Sequence, residues 1–407
     1  MKQLFRRRRD DRKLVKLSVI NKMTLVVLSV LILSNCWDYT SLNEQTVVAG
    51  IAVDQGEGGN GFALTFEIVD LSGAEAGQFG SIVLKTTGET LAEAVYAAYA
   101  KLHNRVYLGI TDVVIVSRAQ AEEGGIRSIV DYLIRNQKAR NSLRIVVAGT
   151  ERAADLLAPA EAEEGETEGP SPEEGERPLL SQALSESLGA RQARVQMSTE
   201  ARGAYEVFNI LARGTSDLVL PIVGTAEAAD IPFQLGGLAI FRGDRMVGIL
   251  EQSDVPLYLL ATAGLRDRAF PVEVAGPDGV SQRVVILLRQ SRSHIDYVVV
   301  EGVLCFLLDI HLTADAVELP PDWGMPDQEM LRRIEGGAAL TLSKQVTDLA
   351  VELRDAGRDI FGFGERVQNR DPKLWAQMAG RWPDYLGNSE IETRVAVRLQ
   401  NAGMMGR

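Results

Sequence analysis

Residues 46–69 read TVVAGIAVDQGEGGNGFALTFEIV, two apolar runs (46–54 and 62–69) on either side of a seven-residue segment with four glycines. Both runs are rich in β-branched residues and short enough to be strands. Gly56 to Gly61 also spells Gly-x-Gly-x-x-Gly, the spacing of a dinucleotide-binding turn. That turn needs a helix to start at its last glycine so that amide dipoles meet a pyrophosphate. A strand-like run follows instead, so the segment reads as a hairpin turn. Leu91, Val95, Ala98 and Leu102 then recur at helical spacing after a candidate cap at Thr87, and Ile126, Ile129, Val130, Leu133 and Ile134 do so after Gly124-Gly125. With strand-like runs at 111–116 and 143–148 between and after them, strands and helices alternate through a first α/β unit.

Residues 159–178, PAEAEEGETEGPSPEEGERP, hold eight Glu, four Pro and three Gly, with no aromatic and no branched aliphatic residue. Such a stretch buries too little surface to offset chain entropy and reads as a solvated linker or loop. Beyond it come a helix carrying Ala204, Val207, Phe208 and Leu211, a hairpin (235–241 and 246–250) around Arg242-Gly243-Asp244-Arg245, and a short helix capped by Ser253-Asp254. Strands are expected at 270–274, 280–288 and 297–312. A long helix follows over 327–357, with a kink expected at Gly336-Gly337, and an alternating strand over 391–400. The fold class is therefore α/β (mixed α+β): several mixed-sheet domains with flanking helices in series. The expected divisions are 1–35 leader, 36–158 N-terminal α/β domain, 159–180 acidic linker, 181–290 middle α/β domain and 291–407 C-terminal α/β domain.

The leader is set apart by charge. Residues 1–35 carry a net +7 inside a chain of −12, which leaves −19 for the rest. A body that acidic has no general attraction to nucleic acid or to an anionic membrane. Behind the basic stretch, Met23 to Leu33 is eleven residues without charge, too short to span a bilayer and typical of a secretory signal. Leu33-Ser34-Asn35-Cys36 resembles a bacterial lipobox, in which the thiol is diacylglycerated and becomes the mature N-terminus. Cys36 is thus the expected lipidation site.

Only two cysteines and three histidines occur in 407 residues, so neither a disulfide framework nor a Cys/His zinc site is expected. Cys305, within VVVEGVLCFLLDIHL, reads as a buried structural thiol. His103, His294 and His311 read as surface or structural histidines. No nucleophile elbow, Walker loop, metalloprotease helix or calcium loop is present, so no catalytic residue, metal or cofactor is assigned.

Three local patterns carry a resemblance. Cys36-Trp37-Asp38, Leu42-Asn43 and Gly50-Ile51-Ala52-Val53-Asp54 resemble the mature N-terminus of the Ger(x)C spore germination lipoproteins, the C subunits of GerA-type germinant receptors. Gly236 to Gly248 is similar to the hairpin that opens the family's C-terminal region. Asp359-Ile360-Phe361-Gly362-Phe363-Gly364-Glu365, then Pro372-Lys373-Leu374-Trp375, Trp382 and the alternating strand look like its C-terminal signature. The resemblance implies three α/β domains in series, no cofactor, and a non-catalytic subunit. That subunit would be anchored by its lipid on the outer face of the spore inner membrane with two integral membrane partners. The alternative from another class is the solute-binding lipoprotein of a transporter, which needs two similar lobes around a cleft. Read physically, Phe361, Phe363, Trp375 and Trp382 fit core aromatics, with a partner-facing patch as the other reading. Trp37 and Asp38 fit either a membrane or partner contact or simply the start of the fold.

Overall fold

The computed structural model describes residues 22–25, 45–70, 80–102, 104–136, 139–157, 179–188, 202–226, 233–324 and 326–402. Cys36, Trp37, Asp38, His103 and the acidic stretch 159–178 lie outside these residues. Residues 1–45 and 46–407 are two separate compact units. In the first, residues 22–25 are helical. Among the described residues no helix is long and apolar enough to cross a membrane.

β1 (Gln45–Gln55) and β2 (Phe62–Asp70) form the expected antiparallel hairpin, Gln55 opposite Phe62. Its loop turns through Gly58, Gly59 and Gly61 at positive φ, and a strand follows where a dinucleotide fingerprint needs a helix. β3 (Gly80–Gly88) continues antiparallel on β2. Because β3 runs through Thr87, helix α1 (Leu91–Leu102) starts later than expected, and its cap is Thr90. The Glu93 amide donates to Thr90 Oγ1 at 3.2 Å while the Glu93 carboxylate accepts from the Thr90 amide at 3.3 Å, a reciprocal capping box.

β4 (Arg105–Tyr107), β5 (Val113–Val116), α2 (Arg127–Arg135), β6 (Arg144–Ala148), α3 (Leu180–Ser187), α4 (Ala204–Arg213), β7 (Leu218–Thr225), β8 (Phe233–Arg242) and β9 (Arg245–Leu250) follow. Among the described residues nine strands make one mixed sheet, ordered β3-β2-β1-β5-β6-β7-β8-β9 with β4 beside β1. β1, β5, β6 and β7 are parallel neighbours, and the flanking pairs are antiparallel. Strand β5 is buried on both faces. Val114 and Val116 join a core with α1, α2 and α4, while Val113 and Ile115 join a second core with residues 153–157 and α3. The expected division at 180/181 lies inside this sheet, because β6 and β7 pair across it.

α5 (Val255–Thr262) leads to the second sheet, β10 (Arg268–Ala275), β11 (Ser281–Val300), β12 (Val303–Glu318) and, after the helices, β13 (Glu390–Ala402). Asp254 precedes α5, but its side chain makes no cap hydrogen bond. In place of expected strands at 280–288 and 297–312 there is one long hairpin. Bulges let β11 run through the polar stretch after Leu288, and the turn falls at Glu301-Gly302, both at positive φ. The expected division at 290/291 therefore lies within β11. β13 is parallel to β12 and antiparallel pairs make up the rest, so both sheets are mixed.

Helix α6 (Gln328–Asp355) packs on β10 and β13 with Ile334, Ala338, Leu342 and Val346 fully buried. Its cap is Asp327, whose side chain accepts from the Met330 amide at 2.8 Å. α7 (Phe363–Arg370), α8 (Pro372–Met378) and α9 (Trp382–Gly387) close the same core. That core also takes in Val219, Leu238, Ile240 and Leu250 of the first sheet, so the two sheets share buried surface. The fold is mixed α+β, two mixed sheets with flanking helices.

No kink occurs at Gly336-Gly337, where α6 continues unbroken. A Cβ on Gly337 would come 2.8 Å from the Glu273 carbonyl oxygen and 3.1 Å from the Val274 Cα, both backbone of β10, whereas one on Gly336 would meet open space. The two glycines should respond oppositely to alanine. Gly336→Ala is expected to stabilise by about 0.5–1 kcal/mol through helix propensity, and Gly337→Ala to destabilise by about 1–3 kcal/mol through overpacking. Urea unfolding of the two variants beside wild type checks this, and equal shifts would contradict the packing described.

Candidate functional site

The C-terminal signature gathers around one carboxylate. Asp359, 3 % exposed, precedes α7. Its Oδ1 accepts from the Phe363 amide at 2.8 Å, and its Oδ2 accepts from the Gly364 amide at 2.8 Å and from Trp382 Nε1 at 3.0 Å. A helix start and a tryptophan from another helix are thereby tied to one side chain. Asp359 also makes a reciprocal pair with the residue before β7: its amide donates to Asp217 Oδ2 at 2.8 Å, and the Asp217 amide donates to the Asp359 carbonyl at 2.9 Å. Burial pushes the Asp359 carboxyl up to about 6, the nearby Asp217 carboxylate adds to the rise, and the amide donors and Trp382 oppose it. Asp217 is raised as well, first by burial.

The four signature aromatics are core residues. Phe363 is 1 % exposed and lies 4.4 Å, centroid to centroid, from Phe306 of β12, with Phe361 beside it at 5.7 Å. Trp375 and Trp382 meet at 5.1 Å. Gly364 is what lets α7 come close, since a Cβ there would lie 2.4 Å from the Thr215 carbonyl oxygen and 3.0 Å from the Trp375 ring.

The remaining candidate groups lie apart. Strand alternation points Leu304 and Phe306 inward and leaves Cys305 half-buried on the opposite face, not in the core as expected. Its Sγ is 3.7 Å from Glu390, and desolvation followed by that carboxylate raises the thiol, which disfavours the reactive thiolate. His294 meets Arg366 at 3.3 Å, and His311 meets Asp309 at 3.3 Å on the next strand. Neither has a nucleophile hydrogen-bonded to it among the described residues. Beside His294, Asp296 pairs with Arg366 and Arg370, and Arg370 also lies 5.0 Å over the Tyr297 ring, fastening α7 to β11. Against a desolvation cost, the Tyr297 amide and the two guanidinium groups hold the Asp296 carboxyl below its ordinary value. Among the described residues no cluster of His, Cys, Asp or Glu could hold a metal ion.

Sequence reasoning found the signature but missed Asp217 and the role of Asp359. The signal available was an acidic residue just ahead of a glycine-rich helix start, a pattern suited to capping.

Asp359→Asn should cost about 2–4 kcal/mol, because the new amide, even turned the better way, would point hydrogens at the Phe363 N–H donor. The pH dependence has a definite sign. Between the ordinary carboxyl value of 3.8 and about 6 the folded state keeps a proton that the unfolded chain has lost. Stability from this group is therefore greatest in acid and falls as pH rises through that window, by about 3 kcal/mol, then levels off. Denaturant unfolding of wild type and Asp359→Asn at about pH 4 and about pH 7, followed by tryptophan fluorescence, checks both effects. Equal pH slopes would contradict the burial argument.

Two family models match the chain. "Spore germination protein N-terminal domain" covers residues 38–169, and "Spore germination B3/GerAC like, C-terminal" covers 236–403. Spore germination protein KC of Bacillus subtilis (strain 168) is 23% identical over 93% of this chain and 95% of its own length. Spore germination protein B3 of the same organism is 18% identical over 95% of this chain and 99% of its own. Among solved structures, the crystal structure of the GerBC protein matches with a TM-score of 0.50 at 12% identity, covering 86% of this chain and 97% of that one, a likeness of fold. With matches at both ends and relatives aligned along almost the whole length, the chain belongs to the Ger(x)C family of spore germination proteins.

Proposed function

We propose that the chain is a lipid-anchored, non-catalytic subunit of a spore germinant receptor, held by a diacylglyceryl group on Cys36 at the outer face of the spore inner membrane. It assembles there with two integral membrane subunits and needs no metal, cofactor or nucleic acid. The observation that carries this reading is the coincidence of two boundaries. The family's N-terminal model starts at residue 38, two positions after the cysteine of a lipobox-like Leu33-Ser34-Asn35-Cys36. Cleavage before Cys36 would leave only Trp37 in sequence between the lipidated residue and the first matched residue. The transporter alternative needs two like lobes, and among the described residues one sheet has nine strands and the other four.

Cys36→Ala should move the protein out of the membrane fraction, since the eleven-residue apolar stretch cannot span a bilayer and the −19 body is not drawn to anionic lipid. Metabolic palmitate labelling should mark wild type and not the variant. Co-purification from detergent-solubilised spore membranes should recover two integral membrane proteins. Membrane retention of an unlabelled variant would overturn the anchor, and recovery of the chain alone would overturn the receptor assignment.

A further inference from the structure

The second sheet buries one face against α6, and strand alternation turns the other outward. On β12, Ile310, Leu312 and Ala314 point into the core, so His311 and Thr313 between them stand on the outer face. Register supplies their neighbours. Arg292 of β11 pairs with His311 and His311 with Ala396 of β13, while Gln290 pairs with Thr313 and Thr313 with Arg398. Directly paired residues share a face, so these two rows of three make one block with Arg292 and Arg398 at opposite corners. Over it lies an open cavity of about 390 Å³, within the range of small-molecule sites.

The charged groups that line this cavity are Arg292, His311 and Arg398, and no carboxylate lines it. The nearest acids along the same strands each hold a base of their own. Asp309 meets His311 at 3.3 Å, Asp315 meets Arg289 at 2.6 Å and Glu392 meets Arg394 at 2.8 Å. Arg292 and Arg398 are exposed and make no ion pair or hydrogen bond among the described residues. Two strand spacings, about 10 Å, separate β11 from β13, a span that two arginines reaching toward one another close around a single small ligand. Between them Ala396 offers only a methyl group, which keeps the floor clear. Two like charges that face one cavity repel, and an anion seated between them turns that repulsion into attraction. In a body of net −19, a basic spot without acids runs against the composition.

Two guanidinium groups bring two positive charges and paired N–H donors, which match an oxyanion with about two negative charges and several acceptor oxygens. A phosphate monoester meets both conditions, whereas a carboxylate has half the charge and two oxygens. We propose that this open sheet face binds a phosphate group, gripped by Arg292 and Arg398 and hydrogen-bonded from below by Gln290 and Thr313.

The test uses the full-length chain in nonionic detergent micelles, without partner subunits, and titrates inorganic phosphate and glycerol 3-phosphate by calorimetry, with acetate as the singly charged control. Saturable phosphate binding is expected, tighter than acetate and weakened roughly fivefold or more by Arg292→Gln and by Arg398→Gln. Arg394→Gln removes the same charge from β13 outside the cavity, where Glu392 already pairs with it, and should weaken binding much less. Both cavity arginines are exposed, so their variants should keep the unliganded melting midpoint, which separates lost binding from lost folding. Dihexanoyl phosphatidate, titrated in the same way, identifies the source of the phosphate group. Binding tighter than glycerol 3-phosphate assigns the site to a lipid headgroup, and equal binding assigns it to a soluble phosphate monoester. No saturable binding of any phosphate compound would overturn the proposal. Acetate binding as tight as phosphate, or equal losses in Arg394→Gln and Arg398→Gln, would overturn it too, because diffuse surface charge would then suffice. A single headgroup contact is no substitute for two acyl chains, so none of these outcomes bears on the anchor at Cys36, which is read by fractionation.

Discussion

A carboxylate removed from water must have its oxygens satisfied by the protein, and Asp359 meets that demand with donors from two helices. The Phe363 and Gly364 amides and the Trp382 indole are fixed relative to its side chain, and its backbone amide and carbonyl exchange hydrogen bonds with Asp217. Each bond alone is worth little net, but removing the acceptor would strand several buried donors together. The signature's spacing follows from this. Gly364 keeps the helix start near Thr215, and the aromatic residues exclude the water that would otherwise compete for the carboxylate.

The Asp217 contact also explains why the two sheets act as one body. Asp217 stands at the entry to β7, in the first sheet, and Asp359 at the entry to the helices over the second. Around that polar link, Val219, Leu238, Ile240 and Leu250 bury the same surface as Tyr258, Phe361 and Phe363. Hydrophobic burial supplies the magnitude and the hydrogen bonds supply the geometry, since dispersion contacts alone tolerate sliding.

Periodicity revealed the elements whose burial follows a simple rule. β1 and β2, α1, α2, α6 and β13 are amphipathic or uniformly apolar and stand at or near their expected positions. What depends on partners far along the chain stayed hidden. Nothing local says that residues 144–148 pair with 218–225 across a 69-residue gap, or that β11 passes through Gln290 and Arg292 without ending. A continuous strand was broken in the reading because polar residues on an open face look like a loop. Cys305 was misplaced for a related reason, since an apolar neighbourhood does not reveal which of two alternating faces is covered.

The interleaving of the first sheet has a consequence for how the chain reaches its native state. β6 exposes an open edge until β7 arrives, and β7 is itself held by a hairpin that ends at Leu250. Pairings between strands so distant in sequence require large loops to close before any contact rewards them, which slows folding and prolongs exposure of unpaired edges. A chain emerging N-terminus first would carry β1, β5 and β6 as an unfinished parallel sheet until some hundred further residues had followed. The segment between β6 and β7 contains the Glu- and Pro-rich stretch, and such composition discourages strand-to-strand aggregation during that interval.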